Sequence, residues 1–206
     1  MRKINITLSL LVVLSLTSCD DFLSETPDNR TQLDSPEKIS EILVEAYPQA
    51  NYMLFAETMT DNVFDSGDLT LSNVQNSLDY NWEMQIETQQ DTPSDYWDAC
   101  YRAVAHANQA LDAIDKLGNP ANLQPQKGEA LLARAYSHFM LVSLFSQRYD
   151  PATAKSELGI PYVLSPETKL LKEYKRNTIE EVYNFIESDV EEGLKYVNND
   201  YAQPKF

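Results

Sequence analysis

The residues of this 206-residue chain best equipped for chemistry fall in one polar stretch, "NVQNSLDYNWEMQ". Tyr80 and Trp82 offer flat π faces, and Asn76, Asp79 and Asn81 set planar amides and a carboxylate beside them. The chemistry would be non-covalent. An aromatic face packs against the C–H face of a ligand such as a sugar ring, while amides and carboxylates bond its hydroxyls. Binding pockets generally combine apolar walls with a few placed polar groups of this kind. These five residues are the candidate ligand-binding set. The same pattern also fits a Trp82 that folds back onto the core, and the sequence leaves both readings open.

Covalent chemistry finds less support. His106 and His138 have no second histidine at metal-ligand spacing, and no HExxH, GxSxG or glycine-rich phosphate loop is present among only five glycines. Asp61, Asp65 and Asp68 lack the alternate-residue spacing of a calcium loop and read as a solvated turn. Paired carboxylates carry no information in a chain with 32 acidic residues. Neither an enzyme, a metal nor a cofactor is expected. A formal charge of −16 argues against nucleic acid, whose recognition needs a basic footprint. It also argues against electrostatic attraction to an anionic bilayer, and it suits an uncharged ligand or a solvated surface.

One residue does carry covalent potential. Met1-Arg2-Lys3 and the apolar run from Ile4 to Leu16 form a secretory signal, too short to span a bilayer. The run ends in Leu16-Thr17-Ser18-Cys19, which resembles the lipobox of bacterial lipoproteins. That resemblance implies cleavage before Cys19, lipidation of its thiol and acylation of the new amino terminus. More than one acyl chain is what stable anchoring requires. Residues 1–18 are therefore expected to be a signal peptide, 19–34 a lipidated acidic leader, and 35–206 a single helical domain. Only Cys100 remains to the mature chain, so no internal disulfide can form, and its place on an apolar stripe reads as core packing.

The elements that must position these groups are helical. Ser35-Pro36 is an N-cap followed by a first-turn proline, with Ile39, Ile42, Leu43 and Ala46 at helical spacing behind it. A second helical segment is expected over 51–63, and a long loop over 69–91. Thr92-Pro93 opens the strongest helix. Its stripe runs Trp97, Cys100, Tyr101, Val104, Ala107, Asn108, Leu111, Ile114, which places Trp97 in the core, and it stops at Gly118-Asn119-Pro120. A partner helix is expected over 125–148, with Leu131, Ala135, Phe139, Val142 and Phe145 facing inward; the two pack antiparallel. His138 is a packing residue on it. Asn108 and Arg134 are polar groups on apolar faces, expected to bond a neighbouring loop and a carboxylate or helix end. After the extended "LGIPYVLSPET", Thr178 to Glu181 is a capping box, and Ile179, Val182, Tyr183, Ile186, Val190, Leu194 and Val197 make a further stripe. That stripe has no partner helix after it, so it must pack on the first pair, on another chain or on nothing.

Taken in order, "CDDFL", "ETP", "YWDACYRAVAHANQALDAID", "GEALLARAYSHFMLVSLFSQRYD", "GIPYV" and "TIEEVYNFIESDVEEGL" resemble the N-terminal half of a SusD/RagB-like lipoprotein, from Cys19 to about Val197. The resemblance implies an all-α fold of tetratricopeptide-like helical hairpins with irregular loops. It further implies tethering to the outer face of the outer membrane and capture, without catalysis, of a glycan or in some members a peptide. The partner it implies is a SusC-like TonB-dependent transporter, which imports the ligand. Family members continue well beyond this length, so the chain is expected to represent a truncated member or the N-terminal part of a longer protein. The competing expectations are a helical-repeat interaction module, presenting the Ile179–Val197 stripe to a protein partner, and a non-functional fragment.

Overall fold

Helix α1 (Pro36–Val44) begins where the sequence places it. The Ser35 hydroxyl accepts the Lys38 N–H at 3.4 Å, proline fills the first turn, and Ile39 and Leu43 are buried. The chain is described by a computed structural model over residues 33–67, 74–83, 91–167 and 172–197. Cys19 and its leader lie outside the described residues. Helix α2 (Met53–Thr58) is shorter than the expected 51–63. The Thr58 hydroxyl donates back to the Leu54 carbonyl at 2.7 Å and that of Thr60 to Glu57 at 2.7 Å, and such local bonds compete with helix propagation.

Helix α3 (Val74–Tyr80) corrects the expected loop over 69–91. Seven residues make fewer than two full turns, too short a window for a period to stand out. Tertiary contact supplies the stability instead: α3 packs on α2, and the Gln75 amide donates to the Asp91 carbonyl at 2.9 Å.

Helix α4 (Pro93–Lys116) is capped by Thr92, whose hydroxyl accepts the Asp95 N–H at 3.1 Å. It ends in a Schellman motif. Gly118, with φ of +84°, donates to Asp115, and Asn119 donates to Ile114. A 3₁₀ turn (Ala121–Leu123) leads into α5 (Gln124–Phe145). Helix α6 (Ile179–Gly193) opens with the expected capping box: the Thr178 hydroxyl accepts from Glu181 N at 3.2 Å, and the Glu181 carboxylate accepts from Thr178 N at 2.9 Å. No described helix is long and apolar enough to cross a membrane.

α5 is the central element. α4 runs antiparallel along one side, pairing Trp97 with Phe145 and Asn108 with Arg134. α6 runs antiparallel along another, pairing Arg134 with Asp189. The Ile179–Val190 part of the stripe therefore packs on α5, whereas Leu194 and Val197 beyond it are exposed. At the far end of this contact a Cβ on Gly128 would lie 2.9 Å from the Gly193 carbonyl oxygen, so glycine sets how closely α5 and α6 approach. Three stripe positions depart from expectation, Val197 among them as an exposed residue beyond the end of α6. Phe139 is 44% exposed, because it falls at the outer edge of the α6 contact against Tyr183, and Leu194 is exposed just past the end of α6.

Small residues bring α4 and α5 together. Ala107, Ala110 and Ala130 are fully buried with Ile39, Leu43 and Ile114 under α1. Beyond them Tyr96, Cys100, Leu141, Val142, Ile160 and Val182 form a second part of the core. Burial pushes the Cys100 thiol up to about 12, so it stays an inert packing group.

Candidate functional site

A groove of about 640 Å³ opens between the exposed flank of α4 and the extended segment 161–167. That volume is within the range of small-molecule sites. Trp97, Tyr101 and Tyr174 give it aromatic walls, and Asp98, Arg102 and Gln109 follow the same flank of α4. The assignment of Trp97 to the core needs correction. One side of its ring packs on Tyr101 (5.0 Å between centroids) and edge-on to Phe145 (5.1 Å), while the residue is only half-buried and lines the opening. A large ring on a helix edge satisfies both environments, which spacing alone does not distinguish.

The opposite wall is held in place by polar side chains that are buried or half-buried. The Tyr101 hydroxyl donates to the Pro161 carbonyl at 2.9 Å, and the Asn108 amide donates to the Val163 carbonyl at 2.9 Å. Arg134 donates to the Leu164 carbonyl at 3.3 Å, and the Asn177 side chain accepts the Tyr162 N–H at 2.9 Å. The Val163 N–H donates to His138 Nε2 at 3.1 Å. The extended segment thus finds side chains where a strand would find a neighbouring strand, which satisfies the rule that buried backbone groups are paired. Asn108 and Arg134 occupy the structural roles expected of them.

Behind the wall, Arg134 bonds Asp189 through Nε and NH2, each at 2.7 Å, and Asn108 Oδ1 accepts from NH1 at 2.8 Å. The Tyr162 hydroxyl donates to the same carboxylate at 2.6 Å. Burial and that neighbouring charge push the Tyr162 phenol strongly upward, so it stays a donor. His138 is fully buried and stacks on Tyr162 with centroids 3.8 Å apart. With Nε2 accepting from Val163, its Nδ1 must carry the proton and donates to the Arg134 carbonyl at 2.9 Å. Burial lowers its pKa to about 4, so the ring is neutral at pH 7.

On the open side, Tyr174 hydrogen-bonds Glu167, and the Lys172 ammonium lies 4.8 Å from its ring centroid. Partial burial, then the bond to Glu167, pushes the Tyr174 phenol up to about 12. Its hydroxyl therefore offers a hydrogen bond rather than a charge.

The five residues singled out in the sequence cluster at α3, but not as one surface. Tyr80 is 38% exposed, Trp82 is 71% exposed, and Asn81 is exposed with its amide donating to the Ser77 carbonyl at 2.8 Å. Asn76 is half-buried, and Asp79 is buried at 3% exposure, which takes its side chain away from solvent. Trp82 therefore stands out rather than folding back. Its φ of +56° is a left-handed conformation rare for a bulky residue.

Sequence reading missed Arg102, Gln109 and Tyr174. The first two had a signal, since Asp98, Arg102, Ala105 and Gln109 repeat at helical pitch beside Trp97 and Tyr101. Tyr174 had none, because it reaches the groove from a distant loop.

Comparison with known proteins places these features in context. The SusD-like family model described as "Starch-binding associating with outer membrane" matches residues 21–206. A SusD superfamily protein from Bacteroides thetaiotaomicron VPI-5482 superposes with a TM-score of 0.61 at 19% identity, over 80% of this chain and 38% of that one. A SusD-like carbohydrate binding protein from Bacteroides vulgatus ATCC 8482 does so with a TM-score of 0.60 at 19% identity, over 83% and 37%. The chain thus spans less than two-fifths of the length of these relatives. A comparison with curated proteins finds no match.

Proposed function

The chain belongs to the SusD-like family described as starch-binding and associating with the outer membrane, and on that premise we propose that it captures a glycan by non-covalent binding in the groove beside α4. The observation that carries this reading is the groove itself: three aromatic residues set beside a guanidinium, an amide and two carboxylates, in space for more than one sugar ring. Sugar rings would pack on Trp97, Tyr101 and Tyr174, and hydroxyls would bond Asp98, Arg102 and Gln109. Trp82, with Tyr80 and Asn81 beside it, adds an exposed platform on α3; Asn76 and Asp79 support that helix.

The role follows from position as well as chemistry. Lipidation at Cys19 holds the protein at the outer membrane, exposed at the cell surface. The captured glycan passes to a SusC-like TonB-dependent transporter for import. No catalytic step is part of this role. The solved SusD-like protein described as carbohydrate binding supports the ligand class.

Thermal unfolding of the full chain with a panel of polysaccharides tests the reading, because a ligand that binds only the native state raises the melting temperature. One glycan is expected to raise it, and Tyr174→Ala and Arg102→Ala are each expected to weaken that binding about tenfold while leaving the unliganded transition in place. Unchanged affinity in both variants would move the site away from the groove.

A further inference from the structure

We propose that the groove selects uncharged glycan chains and rejects those that carry carboxylates or sulfates. This rests on the reading of the groove as a glycan site. Among the described residues, the side chains lining it include two carboxylates, Asp98 and Glu167, and one cation, Arg102. Asp98 stands one helical turn before Arg102 on the same flank, so a carboxylate shares the lining with the guanidinium. Glu167 is bonded to the Tyr174 hydroxyl at the opposite rim, and the Lys172 ammonium lies 4.8 Å from the centroid of that ring without being part of the lining. Recognition of a polyanion works through clustered arginines in bidentate geometry, which a single guanidinium does not provide.

The surroundings act in the same direction. A chain of formal charge −16 repels a polyanion before it reaches the groove, and the effect fades with salt. An uncharged sugar meets none of this. Its hydroxyls accept from Arg102 and Gln109 and donate to Asp98, and its C–H faces pack on rings whose phenols stay protonated. Arg102 in this reading is a specificity residue for hydroxyls, not an anion hook.

The test uses glycans that differ only in charge, offered to the full chain by titration calorimetry: amylose against carboxymethyl amylose, dextran against dextran sulfate, and methyl-esterified against free polygalacturonate. In whichever pair binds, the uncharged member is expected to bind about fivefold to tenfold tighter at low salt, with the gap narrowing as salt rises. The Asp98→Asn and Glu167→Gln double variant is expected to narrow the gap at low salt, and Arg102→Ala is expected to weaken the uncharged member. Equal or tighter binding of the charged member, lost on Arg102→Ala, overturns the selectivity while leaving the glycan site standing. Binding of no member of any pair removes the glycan reading and the selectivity with it.

Discussion

Arg134 and Asp189 meet across the α5–α6 contact through two hydrogen bonds of 2.7 Å, in the bidentate geometry that suits a guanidinium and a carboxylate. Both side chains are under one-tenth exposed. The pair does more than join two helices, because the remaining guanidinium nitrogen reaches Asn108 and the Leu164 carbonyl on the groove wall. A buried pair of this kind contributes little beyond a well-packed apolar substitute, yet breaking it strands a charge. Asp189→Ala is therefore expected to destabilise the fold by about 3–5 kcal/mol. The Arg134→Met, Asp189→Leu double variant is expected to recover much of that loss. Urea denaturation of the three proteins measures both; a double variant no better than Asp189→Ala would mean that the charges themselves hold the wall.

How much of this was legible in the sequence depends on the range of the interaction. Ser35, Thr92, Gly118 and the Thr178–Glu181 box were readable because a cap is decided within four or five residues. The stripes on α4, α5 and α6 were readable for the same reason, and they fail at Phe139, Leu194 and Val197, where the helix contact runs out. The groove was not readable. Its wall depends on residues such as Arg134 and Asp189, 55 positions apart, and His138 and Val163, 25 apart. Asn108 and Arg134 were recognisable as polar groups needing partners, but nothing local named the partners. Of the five residues at and just after α3, composition marked the aromatics without deciding that Trp82 is exposed, and could not tell that Asp79 turns inward.

His138 makes stability depend on pH. Its folded-state pKa is lowered from 6.5 to about 4, so as the pH falls below 6.5 the unfolded chain takes up a proton that the native chain refuses. Stability attributable to this residue is complete above about pH 6.5 and declines as the pH falls towards 4. The gap corresponds to about 3 kcal/mol at its limit. Denaturation midpoints between pH 7 and pH 4 should fall in the native sequence and fall less steeply in His138→Gln, which starts from lower stability. Imidazole NMR gives the direct check, with His106 as the second histidine for comparison. A His138 that titrates near 6.5 would contradict the buried, doubly bonded ring.

The Gly128–Gly193 approach predicts a steric effect with little polar component. A Cβ on Gly128 would lie 2.9 Å from the Gly193 carbonyl oxygen and 3.1 Å from Val197 N, both backbone atoms that cannot swing aside. Gly128→Ala should improve local helix propensity by about 1 kcal/mol, yet the overlap is expected to outweigh it and leave the protein about 1–2 kcal/mol less stable. A thermal melt settles the sign. A stabilised variant would show that the end of α6 yields without loss.

Trp82 offers a prediction in which stability and binding move in opposite directions. α3 and α4 end in the same Schellman arrangement: Trp82 donates to Asp79 and Glu83 to Leu78, as Gly118 donates to Asp115 and Asn119 to Ile114. The left-handed residue is glycine at one end, with φ of +84°, and tryptophan at the other, with φ of +56°. A side chain in that conformation costs about 1–2 kcal/mol, and here the indole recovers little by burial because it is 71% exposed. Trp82→Gly is therefore expected to stabilise the chain by about 1 kcal/mol, after allowance for the greater flexibility of glycine when unfolded. If the indole is a platform for sugar rings, the same variant binds glycan more weakly while melting at a higher temperature. Measured together, the two quantities separate the readings: weaker binding with a higher melt assigns the strain to function, whereas a higher melt with unchanged affinity leaves the groove beside α4 to carry binding alone.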